Sequence, residues 1–246
     1  MTGYGEGLIT CQQQSDGLCD WNLKPGPIVE HGPPAIFIAD SLGLDFLNSI
    51  ATPVDVPVDW LDSGDEFLGW LAQARLVPTD TLDELRARAM PGELDKVAGQ
   101  ARALREWFRR FVRKHMGQPL SPKALRELGP LNELLQRDER FSQISRHRER
   151  DGNRFELQVM RRWRSPQSLL LPIAEVLAKF VCEEDFASVK ACEGHNCTLV
   201  FADHTRSQVR RWCSMAICGN RANRPRTATG SRTSSDKLTN SGAGPT

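Results

Sequence analysis

Four cysteines towards the C-terminal end, Cys192, Cys197, Cys213 and Cys218, stand as two pairs, with four residues inside each pair and fifteen between the pairs. Thiolates in this pattern suit a soft tetrahedral ion. Zinc takes four sulfurs at about 2.3 Å, and two short loops delivering two ligands each can meet that geometry. A gap of four residues lies at the loose end of the usual spacing but within it. The loops agree with this use: Gly194 and Asn196 let the first turn sharply, and Gly219 frees the backbone beside Cys218. Two disulfides, or four unrelated thiols, are the alternatives. His195 and His204 are the other candidate ligands, but His195 could replace Cys197 only with awkward geometry, and His204 follows Asp203 in a turn. Four thiolates would leave no coordination position open for a reacting water, so the expected cofactor is one structural Zn2+.

Around the cysteines lie Arg206, Arg210, Arg211, Asn220, Arg221 and Arg224, with Trp212 among them. Gathered on one folded unit, these arginines would form a basic surface able to meet phosphates. A helix N-terminus bearing Asn220 and Arg221 would add backbone donors, and Asn and Arg can read adenine and guanine edges in a bidentate way. The alternative is that Asn220 and Arg221 brace the metal loops and that Trp212 packs beneath them. Phosphate contact is the favoured reading for Arg210 and Arg211.

The string R-R-W-C-S-M-A-I-C-G-N-R-A, Arg210 to Ala222, closely resembles the signature of the CGNR zinc-finger family of bacterial proteins. L-V-F-A-D-H-T-R, Leu199 to Arg206, resembles the strand and turn between that family's cysteine pairs. The resemblance implies a C-terminal zinc finger on a transcriptional regulator, behind a stress-responsive domain named ABATE. L-D-F-L-N-S from Leu44 and F-L-G-W-L-A-Q-A-R-L-V-P from Phe67 resemble that domain. One departure stands out. Asn223 occupies the place of the family's lysine, and Arg224-Pro225-Arg226 stops the helix, which shortens the expected basic surface.

The elements that must position this site occupy the rest of a 246-residue chain, enough for a main domain and a small appendage. No run of eighteen apolar residues and no readable secretory signal is present, so the expected location is cytoplasmic, with reduced thiols and no membrane partner. The formal charge of +1 hides an asymmetry. Residues 1–66 hold eleven acids against Lys24 alone, while residues 204–246 hold eight bases against Asp236 alone. Acidic front and basic tail could bind each other, or the tail could meet a polyanion.

Residues 1–34, rich in Gly, Gln and Pro, read as a flexible arm in which Cys11 and Cys19 are free thiols. Order begins at the apolar run Ala35 to Ile38 and continues into a helix near Leu42 to Ser49. Ser63 and Glu66 form a capping box for a helix carrying Phe67, Trp70, Leu71 and Ala74, closed by Pro78. Another helix runs from Thr79 or Asp80 to Met90. Between Glu93 and Met116, Val97, Ala101, Leu104, Phe108 and Phe111 recur at helical steps, with Gly117 placed as a cap. The five arginines of this helix, from Arg102 to Arg113, read as a solvated face. Ser121-Pro122 opens a further helix. Residues 141–147 and 155–163 read as a β-hairpin turning at Asp151-Gly152-Asn153. Leu169 to Phe180 is an apolar helix with Pro172 in its first turn.

The expected fold class is therefore α+β. A mainly helical sensor domain with a β-hairpin, residues 35–183, precedes a small treble-clef-like zinc finger with four cysteine ligands, residues 187–225, with strands at 188–191 and 198–202 and a helix from Cys218 to Arg224. Residues 226–246 read as a disordered tail. The expected function is a zinc-binding, DNA-binding regulator of a bacterial stress response, whose N-terminal domain senses a small-molecule or protein signal. A protein-interaction or RNA-binding module with a purely structural zinc is the alternative. No catalytic residues are assigned and no enzyme is expected. The chain has no G-x-G-x-x-G, Walker loop, G-x-S-x-G or H-E-x-x-H, and its five histidines are scattered.

Overall fold

In the computed structural model, residues 33–54, 56–146 and 154–220 are described. Most of the N-terminal arm, the hairpin turn at 151–153, the continuation of the last helix to Arg224 and the C-terminal tail lie outside them. Among the described residues six helices and three two-stranded antiparallel sheets follow one another: α1 (Leu42–Leu47), β1 (Ile50–Val54), β2 (Val56–Asp59), α2 (Gly64–Gln73), α3 (Thr79–Arg88), α4 (Glu93–His115), α5 (Gly129–Leu135), β3 (Arg140–Arg146), β4 (Phe155–Arg161), α6 (Leu170–Glu183), β5 (Val189–Ala191) and β6 (Val200–Ala202). This is the α+β architecture that the residue patterns imply. No described helix is long and apolar enough to cross a membrane.

The core forms on the apolar stripe of α4. Val97, Ala101, Phe108 and Val112 are fully buried, and α1, α2 and α6 pack around them. Phe108 meets Phe180 of α6 edge-on at 5.8 Å, and Phe111 meets Phe186 in the same way at 5.9 Å. Trp70 lies between Phe37 and Phe46, and Trp60 and Phe67 are also buried, so these aromatics serve as core. Helix α1 comes close to α6 because Gly43 has no side chain there. A Cβ at this position would lie 2.8 Å from that of Phe180. The segment before α1 is tied to α2 and the β1–β2 hairpin. Its Pro33 carbonyl accepts from Trp60 Nε1 at 2.7 Å, and the Ala35 amide donates to Gln73 at 2.8 Å.

The Ser63–Glu66 capping box is present in both directions, at 3.2 and 3.1 Å. The end of α2 differs from the expectation. Pro78 does not close this helix; it caps the next one. Closure comes from Arg75 in the left-handed region at φ 53°, with the Leu76 amide reaching back to Leu71 O at 3.1 Å and the Arg75 amide to Ala72 O at 3.0 Å. That is a Schellman ending with arginine where glycine is usual, which is why sequence alone places the stop too late. Ser121-Pro122 opens a 3₁₀ segment, Pro122–Glu127, and not an α-helix.

Two of the five arginines of α4 depart from a second expectation, while Arg110 and Arg113 are exposed as the solvated-face reading has it. Arg105 and Arg109 are buried and form no solvated face. Arg105 grips Asp59 with two parallel bonds of 2.7 and 2.8 Å and also reaches Ser49 Oγ at 3.1 Å. Burial pushes the Asp59 carboxyl up, but these bonds outweigh it and hold the carboxyl below its usual range. Arg109 donates to the Leu47 carbonyl at 2.5 Å. Planar guanidinium groups thus tie the long helix to the end of α1 and to the β1–β2 hairpin.

Asp45 on α1 takes both the Ile38 and Ala39 amides on a single oxygen, at 3.0 Å each. Burial raises its carboxyl to about 7, against the opposing effect of those two amides. A carboxyl whose native value lies above its unfolded one loses stabilisation as pH rises from about 4 to about 7. Because one oxygen serves both amides, Asp45→Asn keeps both bonds and removes the charge. The expected result is a thermal midpoint less dependent on pH across that window, and higher than wild type at pH 8 by the equivalent of a few kcal/mol. Midpoints measured at pH 5 and pH 8 for both proteins check this.

Candidate metal centre

Strands β5 and β6 pair in the register Val189↔Ala202, Lys190↔Phe201 and Ala191↔Val200. Cys192 follows the first strand directly, and Cys197 lies three residues before the second. The loop between them reverses through Asn196, at φ 60°, as its residue type suggests. Cys213 sits on a bend. Cys218 lies inside a single turn, Met215–Gly219, which Ser214 caps by accepting from the Ala216 amide at 3.1 Å. The continuation of this turn into a helix lies outside the described residues.

The four sulfurs lie within 4.8 Å of one another. Cys197 and Cys213 are separated by 3.9 Å, and Cys213 and Cys218 by 3.6 Å. Four sulfurs at about 2.3 Å from one ion would stand roughly 3.8 Å apart, so the cluster has the size of a tetrahedral zinc site. A disulfide would bring two sulfurs to about 2.0 Å, and all four cysteines are free. Backbone amides are turned to the sulfurs as well: Cys213 N–H and Gly194 N–H donate to Cys192 Sγ at 3.2 and 3.4 Å.

The electrostatics point to the same ion. A hydrogen bond donated by the Cys213 thiol pulls Cys197 down to about 5. The resulting thiolate, with burial, pushes Cys213 far up, and burial is the main cause that raises Cys218 to about 12. Sulfurs this close cannot all ionise beside one another in a buried site, and a divalent cation removes that penalty. Cys192, Cys197, Cys213 and Cys218 therefore suit one zinc ion, which would be held as a closed structural centre. His195 is exposed and outside the cluster, and His204 bonds Glu184 at 3.0 Å.

Gly194 is where this cluster tolerates no side chain. A Cβ there would lie 2.8 Å from Cys218 Sγ and 2.9 Å from its Cβ. Gly194→Ala is expected to displace the last ligand and weaken zinc retention at least tenfold, which competition with a chromophoric chelator would measure.

Arg210 lies elsewhere than the sequence suggests. Its guanidinium is turned inward, stacked 4.3 Å from the Phe201 ring, and it bonds Trp212 O at 3.0 Å, Ile38 O at 3.2 Å, Cys213 O and the Asp40 carboxylate. Its donors are spent on the joint between the finger and the N-terminal domain, so phosphate contact does not fall to this side chain here. Arg211 is exposed, bonds Glu193 at 2.6 Å and lies 5.3 Å from the ring of half-buried Trp212. Arg206 and Asn220 are exposed, while Arg221 and Arg224 lie outside the described residues.

Two residues of the joint, and one that braces the finger from within, escape sequence reasoning. Asn48, buried, exchanges two bonds with Val200 at 2.8 and 3.0 Å, as a neighbouring strand would. Asp40 stands at φ 61° and turns its carboxylate to Arg210. Asp203, with no exposed surface, takes Lys190 at 2.7 Å, the Arg210 amide at 2.9 Å and both Thr205 donors. These bonds hold its carboxyl below the usual range despite burial. The Asp-x-Thr string was the one local signal, since Asp often bonds the backbone two residues on.

No curated protein matches the chain closely enough to count as a relative. Residues 188–228 match the CGNR zinc finger. Residues 40–184 match the ABATE family, more than half of the chain. On that match and on the cysteine cluster, the chain belongs to the ABATE family, described as "Putative stress-induced transcription regulator", and ends in a CGNR zinc finger that holds one zinc ion.

Proposed function

We propose that this chain is a cytoplasmic, DNA-binding transcriptional regulator of a bacterial stress response. In this reading the finger contacts DNA, the N-terminal domain senses a signal, and no reaction is catalysed. The observation that carries the reading is a closed four-sulfur centre that displays Arg206, Arg211 and Asn220 on its outer surface and is bonded through its inner surface to the N-terminal domain. Zinc there is a scaffold, and the exposed cations supply phosphate contacts and counterion release. The family description supports the same reading.

The test is binding of the zinc-loaded chain to random-sequence duplex DNA across a salt series. Affinity is expected to fall steeply with salt, and Arg206→Ala with Arg211→Ala to reduce the logarithmic slope by about 2 while leaving the thermal midpoint unchanged. Absence of binding at low salt, with zinc confirmed, would favour a protein-docking finger. That second reading has its own observation: Val209 and Met215 are exposed on the finger to 70% and 56%.

A further inference from the structure

The β3–β4 hairpin is built the wrong way round for a chain that stands alone. Its register pairs Arg146 with Phe155, Ile144 with Leu157, Ser142 with Val159 and Arg140 with Arg161. Residues alternate between faces along a strand, so Ile144, Phe155, Leu157 and Val159 share one face. They are exposed to 69%, 76%, 70% and 47%. The opposite face carries the more covered polar side chains Ser145, Glu156 and Gln158, together with Phe141, over which Arg162 stacks, and Met160, exposed to 43%. None of these strand residues joins the hydrophobic core. The hairpin is anchored at its base, where Arg140 and Arg161 bond Asp138 at 2.7 Å and Glu175 of α6 at 2.5 and 2.9 Å.

We propose that this hairpin is a self-association arm, and that two copies of the chain pack these apolar faces against each other about a two-fold axis. A lone two-stranded hairpin is marginal in water and needs a surface to lie on. At roughly 200 Å² for a large side chain, the four residues expose on the order of 500 Å², a large patch for a monomer. Two such faces bury about 1,000 Å² together, which is where specific protein interfaces begin.

The apolar face favours a second copy over a polyanion. Bare phosphate would leave Ile144, Leu157 and Val159 without a partner. In a two-fold packing with the arms antiparallel, the far end of one arm, with exposed Arg146 and Arg154, lies over the base of the other. The acids of that base, Asp138, Glu139 and Glu175, are already paired with Arg161, Arg164 and Arg140, so the contact rests on the apolar side chains. The same patch is thus self-complementary in apolar surface, each face offering the other Ile144, Phe155, Leu157 and Val159. This inference is independent of what the finger contacts.

Sedimentation velocity of the zinc-loaded full chain, from about 1 to about 100 μM, tests it in the range where a small interface associates. Wild type is expected to pass from one-chain to two-chain mass as concentration rises. Leu157→Asp and, separately, Ile144→Asp on the facing strand should weaken association at least tenfold. Their zinc content and thermal midpoint should match those of wild type, since both side chains are exposed in the single chain. A wild type that keeps one-chain mass throughout would overturn the proposal. Variants that associate as wild type does would also overturn it, by placing the interface elsewhere.

Discussion

Chelating the zinc is expected to unfold the finger and leave the helical domain standing. Strands β5 and β6 have three residues each, and one turn holds Cys218. So small a unit cannot bury enough apolar surface to fold by itself. Its structure must draw on metal binding, worth about 10–16 kcal/mol in comparable fingers near neutral pH. With EDTA present, or in Cys213→Ser, limited proteolysis should open the chain between Glu193 and Asn220. The far-ultraviolet signal should change little, because the finger contributes almost no helix. The thermal midpoint of the remainder should fall as well, since Asn48 loses Val200 and the Ala39 carbonyl loses the Ala202 amide, bonds of 2.8–3.1 Å in the intact joint. A cleavage pattern and midpoint unchanged by chelation would refute a structural zinc. Acidification should mimic chelation, because the ligands must be thiolates.

Arg210→Ala is expected to cost about 2–4 kcal/mol, because it removes the charged bonds to the carbonyls of Ile38, Trp212 and Cys213, each buried or partly buried. The Asp40 pair adds little, because the Asp40 carboxylate is half exposed. Arg210→Lys should recover less than half of the loss, since an ammonium cannot span these acceptors or stack flat on Phe201. Hydrogen exchange should rise together at residues 38–40 and 200–203, which Arg210 and the Ala202–Ala39 bond hold in register. Arg211→Ala makes the control. Its side chain is exposed, so its midpoint should move by less than about 0.5 kcal/mol. If Arg210→Ala left the midpoint in place and weakened only DNA binding, the inward assignment of its guanidinium would be wrong.

These two substitutions at adjacent positions show where sequence reading stops. Arg210 and Arg211 are chemically identical and both lie just before Cys213, and no spacing rule separates them. What separates them is the path of residues 38–40, far earlier in the chain, which passes on one side of the finger and captures one guanidinium. The same holds for Arg105 and Arg109. A stripe of arginine on a helix looks like a solvated face until Asp59 and the Leu47 carbonyl are brought up to it. Likewise, the alternation in Phe155 to Arg161 defines a strand and its two faces, but nothing local says that the apolar face points outward.

By itself, the sequence determined the features governed by neighbours in the chain. The two cysteine pairs, the Ser63 cap, the apolar stripe of the long helix, and the alternation of the hairpin are patterns within short stretches of chain, and all stand in the fold. The tertiary structure alone decided which cations are spent and which are displayed, how Asn48 and Arg210 join the finger to the helical domain while Asp203 braces the finger from within, and which sheet face is left uncovered. The reason is physical. Burial and charge pairing depend on distances between segments remote in sequence, and a side chain's type limits the bonds it can make without saying which partner will arrive.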